Sequence, residues 1–180
     1  KVGFVGGIKF PLIEKFEYGY MAGVKLANPD AEVLRQYAES FTDAAKGKAI
    51  TNNMYQQGAD IVFHASGSVG DGVIEAAKEK GKWAIGVDKD QNFLAPDNVL
   101  TSAMKRVDNA IYDIGKRLMG GEFAGGETVV YNLKNEGVGI APTSNKHVPA
   151  EILKEVDGLV AKIKAGEIVV PATQDAFDKF

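Results

Sequence analysis

The stretch Ala59–Ala65, ADIVFHA, restricts the fold more than any other part of the chain. It is apolar almost throughout, carries β-branched Ile61 and Val62 beside Phe63, and runs directly into a small-residue loop, Ser66–Gly72 (SGSVGDG). A strand that is apolar on both of its alternating faces has to be covered on both sides. That is the condition of a parallel strand inside a helix-flanked sheet. The neighbouring segments can supply the cover. Asp43–Gln57 reads as a helix entered through the polar loop Ser40–Asp43 and ended by Gly58, and Val69–Lys80 reads as another, ended by Gly81.

The same alternation runs along the chain. Lys1–Gly7 is a short apolar strand with a Gly6-Gly7 exit. Phe10–Ala27 has helical spacing, with Leu12, Phe16, Tyr20 and Val24 on one face, Pro11 in the first turn and Asn28-Pro29-Asp30 as the stop. Glu32–Ala38 alternates as a strand, and Ala84–Val87 and Val99–Met104 read as two more. Arg106–Met119 is a helix with Val107, Ile111, Ile114 and Leu118 on one side. Gly120, Gly121, Gly125 and Gly126 then enclose Glu122-Phe123-Ala124 as a loop-like break. Thr128–Leu133 is expected as a strand, followed by a turn at Asn135-Glu136-Gly137 and the short segment VGIAP. Pro149–Ala165 is expected as a last amphipathic helix, and Ile168–Val170 as a terminal strand. Strand and helix alternate five times. The pattern predicts an α/β fold with a parallel, doubly wound sheet and right-handed crossovers.

A chain of 180 residues is long enough to bury a core of its own. With a net charge of −3 and no basic run longer than two residues, it has no electrostatic footprint for nucleic acid. No apolar stretch approaches the roughly 18–20 residues of a membrane-spanning helix. The absence of cysteine removes disulfides, thiolate metal sites and cysteine nucleophiles together. His64 and His147 match no metal-ligand spacing, so no metal or other cofactor is expected. The chain opens on KVGFVGG without an initiator Met, which reads as a processed or excised piece.

The stretch Trp83–Arg106 carries the most chemistry. Its first strand delivers Asp88 at the carboxyl end and its second runs into Lys105 and Arg106. Ligands of open α/β sheets bind outside those strand ends. A dinucleotide site is disfavoured, because the first strand offers G-x-x-G-G rather than G-x-G-x-x-G and bulky Ile8, Lys9 and Phe10 follow. The SGSVGDG loop is either a plain tight turn or a backbone N–H cradle, and Asp71 would repel phosphate in the latter. It lacks a G-x-S-x-G nucleophile elbow. His64 reads as a satisfied core histidine before a catalytic one. Asp88 and Asp90, two apart on extended backbone, would point the same way and bind hydroxyls or a lysine. Lys105 is a rim salt bridge or a ligand group. Phe41, in the polar loop ESFTDAAKG, is either a lid on the core or a ring that stacks on a planar ligand.

Taken together, VGFVGG, PLIEKFEYGYMAGVKLANP, SFTDAAKGKAITNNMYQQGADIVFHASG, GVIEAAKEKGKWAIGVDKDQ, LAPDNVLTSAMKRVD, GVGIAP and the GEIVVP tail resemble the basic membrane protein (BMP) family across essentially the whole chain. These are substrate-binding lipoproteins of ABC transporters, and they include a purine nucleoside receptor group. The resemblance implies the second lobe of a type I periplasmic-binding-protein-like fold, without the first lobe, signal peptide or lipidated cysteine. Residues of about 99–127 would cross the hinge and pack on the complementary N-terminal lobe. The implied function is non-catalytic: binding a purine nucleoside (adenosine, guanosine or inosine) between the lobes for a membrane permease, at the periplasmic or extracellular face of the cell membrane. In that reading Phe41 stacks on the purine and Gly67 admits close backbone approach. Asp88 accepts hydrogen bonds from ribose hydroxyls, and Lys105 donates to the sugar. Alone, the chain would associate with the complementary lobe or with another copy. The alternatives are a nucleoside-acting or NAD-dependent α/β enzyme, or the ligand-sensing domain of a regulator.

Overall fold

A computed structural model describes residues 1–122 and 125–180; Phe123 and Ala124, within the glycine-rich break, lie outside the described residues. Four strand–helix units come first: β1 (Val2–Gly6) and α1 (Pro11–Ala27), β2 (Val33–Tyr37) and α2 (Ala44–Gln56), β3 (Ile61–Ala65) and α3 (Val69–Lys80), then β4 (Trp83–Asp88) leading through a loop to β5 (Val99–Lys105) and α4 (Val107–Met119). β6 (Val138–Ile140), α5 (Ala150–Ala165) and the short α6 (Gln174–Asp178) complete the chain. The strands form one sheet in the order β2-β1-β3-β4-β5-β6. All neighbours are parallel except β5 and β6, which pair antiparallel through Ala103↔Ile140, Met104↔Gly139 and Lys105↔Val138.

The local sequence accounts for these elements. Pro11 occupies the first turn of α1, where its missing N–H costs nothing. Asp43 caps α2 by accepting a hydrogen bond from Lys46 N at 3.0 Å, and Gly81 ends α3 in the left-handed conformation. Alternate residues of β1 and β3 divide between two cores, as the pleat requires. Val5 and Val62 pack with Ile50, Met54, Val69, Val73 and Ile74 under α2 and α3. Phe4 and Phe63 face α1 and meet Ile13, Phe16 and Tyr20, with ring centroids 5.7 Å apart between the two phenylalanines. Full burial of each such side chain contributes about 1.5–3 kcal/mol. Within α1 the buried positions are Ile13, Glu17, Tyr18 and Ala22, whereas Leu12 is exposed. Glu17 is held between Arg35 Nη1 at 3.0 Å and the Tyr37 hydroxyl, which tie α1 to β2.

Two expected strands do not form. Thr128–Leu133 is irregular and ends in a 3₁₀ turn at Leu133–Asn135, and Ile168–Val170 is not a strand either. A strand needs a free sheet edge beside it. Neither segment pairs with the edge strands β2 or β6: Tyr131 hydrogen-bonds Asp113 of α4 at 2.8 Å, and the segment 168–180 folds back on α1, where the Tyr18 and Phe177 rings lie 6.2 Å apart. Helices α4 and α5 bury none of their residues. The apolar side of α4 is open: Val107, Ile111, Leu118 and Met119 are all exposed.

Candidate functional site

In the order 2-1-3-4-5 the chain leaves β1 in one direction for β2 and starts again on its other side with β3, so a crevice opens at the carboxyl ends of β1 and β3. A cleft of about 310 Å³ lies there. Its walls come from five places. The first turns of α1 give Phe10, Leu12, Ile13 and Phe16, the loop after β2 gives Phe41, and the end of β3 gives Ala65, Ser66 and Gly67. Val87 and Asp88 come from β4 and Lys105 from β5. The four residues singled out in the sequence, Phe41, Gly67, Asp88 and Lys105, therefore border one space. Phe10 and Leu12 join them, although sequence spacing marks neither as a site residue. The signal for them is position: they begin the helix that follows the strand on the crevice.

Backbone features set three of the four, Phe41, Gly67 and Asp88. Phe41 O accepts from Ser68 N at 2.8 Å, which docks the loop after β2 onto the start of α3. Its ring sits on Gly7, where any β-carbon would overlap the ring, and meets Phe10 edge-on at 6.2 Å. Phe41 thus has one side supported by the protein. Gly67 adopts φ +60°, and a β-carbon there would come within 2.8 Å of Phe41 O, so glycine is needed twice over. Asp88 adopts φ +67°, an unusual conformation for a residue other than glycine. The turn carries its carboxylate toward β5, where Oδ1 pairs with Lys105 Nζ at 2.9 Å. Both partners are about half exposed, so the pair is worth no more than about 1 kcal/mol to stability.

The same turn separates Asp88 from Asp90. Alternation along extended backbone predicts that they point together; instead Asp90 turns away and accepts from the Thr143 hydroxyl at 2.8 Å through both of its oxygens. The expectation assumed extended backbone, and the left-handed Asp88 breaks that alternation. His64 is fully buried, hydrogen-bonded to Gln91 and Ser66, and faces away from solvent. Burial pushes its pKa down to about 4, against weaker upward contributions from the Gln91 hydrogen bond, Asp71 and Asp88. It is a neutral structural imidazole at physiological pH. Among the described residues no group of three or more His, Asp or Glu side chains is arranged to hold a metal ion. A larger groove of about 1010 Å³ crosses the sheet between α1 and α5, walled by Phe16, Tyr20, Phe63, Ile85, Val156 and Val160.

An apolar-walled crevice with one carboxylate and one ammonium at the strand ends offers both a hydrogen-bond acceptor and donors beside apolar surface. Residues 1–174 match the Bmp family, described as ABC transporter substrate-binding protein, PnrA-like. The chain belongs to the Bmp family.

Basic membrane protein A of Borreliella afzelii is 42% identical over 183 residues, an alignment that takes in 100% of this chain and 56% of that protein. The Bmp chain therefore spans little more than half the length of this curated relative. Among solved structures, an ABC transporter solute-binding protein from Aeropyrum pernix K1 superposes with a TM-score of 0.84 at 28% identity, covering 99% of this chain and 60% of that one. A Bacillus halodurans protein described as a transcriptional activator of the comK gene gives a TM-score of 0.80 at 27% identity, covering 89% and 55%. Bmp membership and this fold are those of solute-binding proteins.

Proposed function

We propose that this chain is one wall of the solute site in a two-lobed receptor that binds a purine nucleoside and presents it to an ABC permease at the outer face of the cell membrane. The observation that carries this reading is that Phe41, Gly67, Asp88 and Lys105 border one cleft at the carboxyl ends of the strands. An aromatic ring supported on one side and open on the other suits a planar base. A carboxylate beside an ammonium suits a sugar diol, since Asp88 accepts from hydroxyl groups while Lys105 donates to them, and each keeps the other charged. Asp88 and Lys105 would then exchange part of their mutual contact for contacts to the solute.

The second lobe is supported by α4. Its Val107, Ile111, Leu118 and Met119 are exposed apolar residues without cover among the described residues. β5 is a full member of the sheet, with Val99 and Ser102 buried, and in this reading the chain leaves for the other lobe within the segment of about 99–127. The deciding experiment is calorimetric titration of adenosine, guanosine, inosine and cytidine into the full-length protein. A purine nucleoside should bind and cytidine should not. If none binds while another metabolite does, the nucleoside assignment falls and the receptor assignment stands.

One observation favours a second reading. The likeness to the comK activator from Bacillus halodurans fits a lobe of this kind serving as the ligand-sensing part of a regulator. A gel shift with the full-length protein and its own upstream DNA separates the two, because a transport receptor leaves the DNA unshifted.

A further inference from the structure

The sheet forks at the cleft. β3 stays paired with β1 as far as Gly6↔Ala65, and β4 stays paired with β5 as far as Asp88↔Met104, but β3 and β4 pair only as far as Phe63↔Ile85. Beyond that point the Val87 N–H has no partner on β3. The side chain of Gln91, which comes back from the β4–β5 loop, fills the opening. Gln91 Oε1 accepts from Val87 N at 2.8 Å and from His64 Nε2 at 2.9 Å, while Gln91 N donates to Ser102 Oγ at 3.1 Å. Only an oxygen can accept from the Val87 N–H, so the amide orientation is fixed and His64 must carry its proton on Nε2. His64 Nδ1 is then an acceptor, and the Ser66 hydroxyl lies 3.3 Å from it. All four side chains are buried.

Two close contacts show how tightly this group is seated. A β-carbon on Gly86 would stand 2.5 Å from Ser102 Oγ and 2.7 Å from Gln91 Oε1, and one on Gly70 would overlap the His64 ring. We propose that His64 and Gln91 are positioning residues of the solute site: a polar wedge that sets the separation between the Gly67 loop on β3 and Asp88 on β4. The wedge is joined to both arms. Ser66, bonded to His64, immediately precedes Gly67, and Val87, bonded to Gln91, immediately precedes Asp88.

The inference rests on the nucleoside reading only for its effect on affinity; the effect on the rim is separate. The test uses Gln91→Leu, His64→Leu and the conservative His64→Gln in the full-length protein, with inosine as the probe. Both leucine variants leave a buried donor or acceptor unpaired, so inosine binding should weaken about ten-fold or more at temperatures where each variant is fully folded. His64→Gln, which keeps a donor where Nε2 stood, should restore most of it. In Gln91→Leu the Val87 amide should lose its hydrogen-exchange protection, and the amide resonances of Gly67 and Asp88 should move together, with or without inosine. If those amides match the parent protein, the wedge is overturned whatever inosine does. If they shift while the parent protein fails to bind inosine, the wedge stands and the nucleoside reading falls. Loss of stability with unchanged affinity and unmoved Gly67 and Asp88 resonances would reduce the pair to ordinary core residues.

Discussion

Lys105 and Asp88 face each other from neighbouring parallel strands, Nζ to Oδ1 at 2.9 Å, and Asp88 reaches its partner only because its backbone turns left-handed at the end of β4. The pair is half exposed and contributes little to folding, which leaves both groups free to serve a solute.

Replacing Asp88 with Ala should therefore cost binding and spare the fold. Inosine affinity measured by calorimetry should fall at least ten-fold, while unfolding free energy changes by less than about 1 kcal/mol. Unchanged affinity removes Asp88 from the site.

Phe41→Leu should weaken purine nucleosides by about 0.5–1.5 kcal/mol through the lost ring contact. Phe41→Tyr should bind nearly as the parent does. Equal affinities for Leu and Phe at this position would show that no base stacks there.

Gly67→Ala meets two obstacles, the left-handed φ and the Phe41 carbonyl. Denaturant titration should show a loss of at least 1–2 kcal/mol, and the loop carrying Phe41 should shift, as read from its amide resonances. A neutral outcome would mean that the turn reorganises freely.

Acid should destabilise the protein through His64 before most carboxylates titrate. The unfolded imidazole takes up a proton near its ordinary 6.5, whereas the buried one holds out to about 4 with Asp71 and Asp88 as the nearby charges. The contribution of neutral His64 is complete above pH 6.5. It declines as pH falls and reaches a loss of about 3 kcal/mol near pH 4, where the native ring titrates as well. In His64→Gln the corresponding slope between pH 6.5 and 4 should be shallower; an identical slope would assign the effect elsewhere.

The open stripe on α4 should make the 180-residue chain associate when it is expressed alone. Light scattering should report a species larger than about 19 kDa, and Ile111→Lys with Leu118→Lys should return it to the monomer. A clean monomer of the parent chain would remove the need for a covering partner.

Most of the α/β frame could be read from patterning because burial on two faces leaves so clear a trace. ADIVFHA became the central strand β3, and Pro11, Asp43 and Gly81 mark helix ends where local chemistry predicts them. Thr128–Leu133 shows where patterning fails: it has strand composition, but a strand also needs an edge to pair with, and this segment instead is tied to α4 through the Tyr131–Asp113 hydrogen bond. The grouping of Phe41, Gly67, Asp88 and Lys105 came from family likeness and strand-end logic, not from spacing. Leu12, grouped by helical spacing with Phe16, Tyr20 and Val24, borders the cleft together with Phe16. Gln91 had no signal in sequence at all, since an amide in a polar loop looks like any other until the strand ends part around it.

That parting gives the rim an asymmetry of stiffness. Up to Phe63 and Ile85 the two halves of the sheet are stitched by backbone; past them, only side chains span the gap. A solute that touches Gly67 on one arm and Asp88 on the other would act as the missing rung of the ladder. Its arrival would then brace the sheet across that gap, and the solute's fit would be felt along two strand pairs at once.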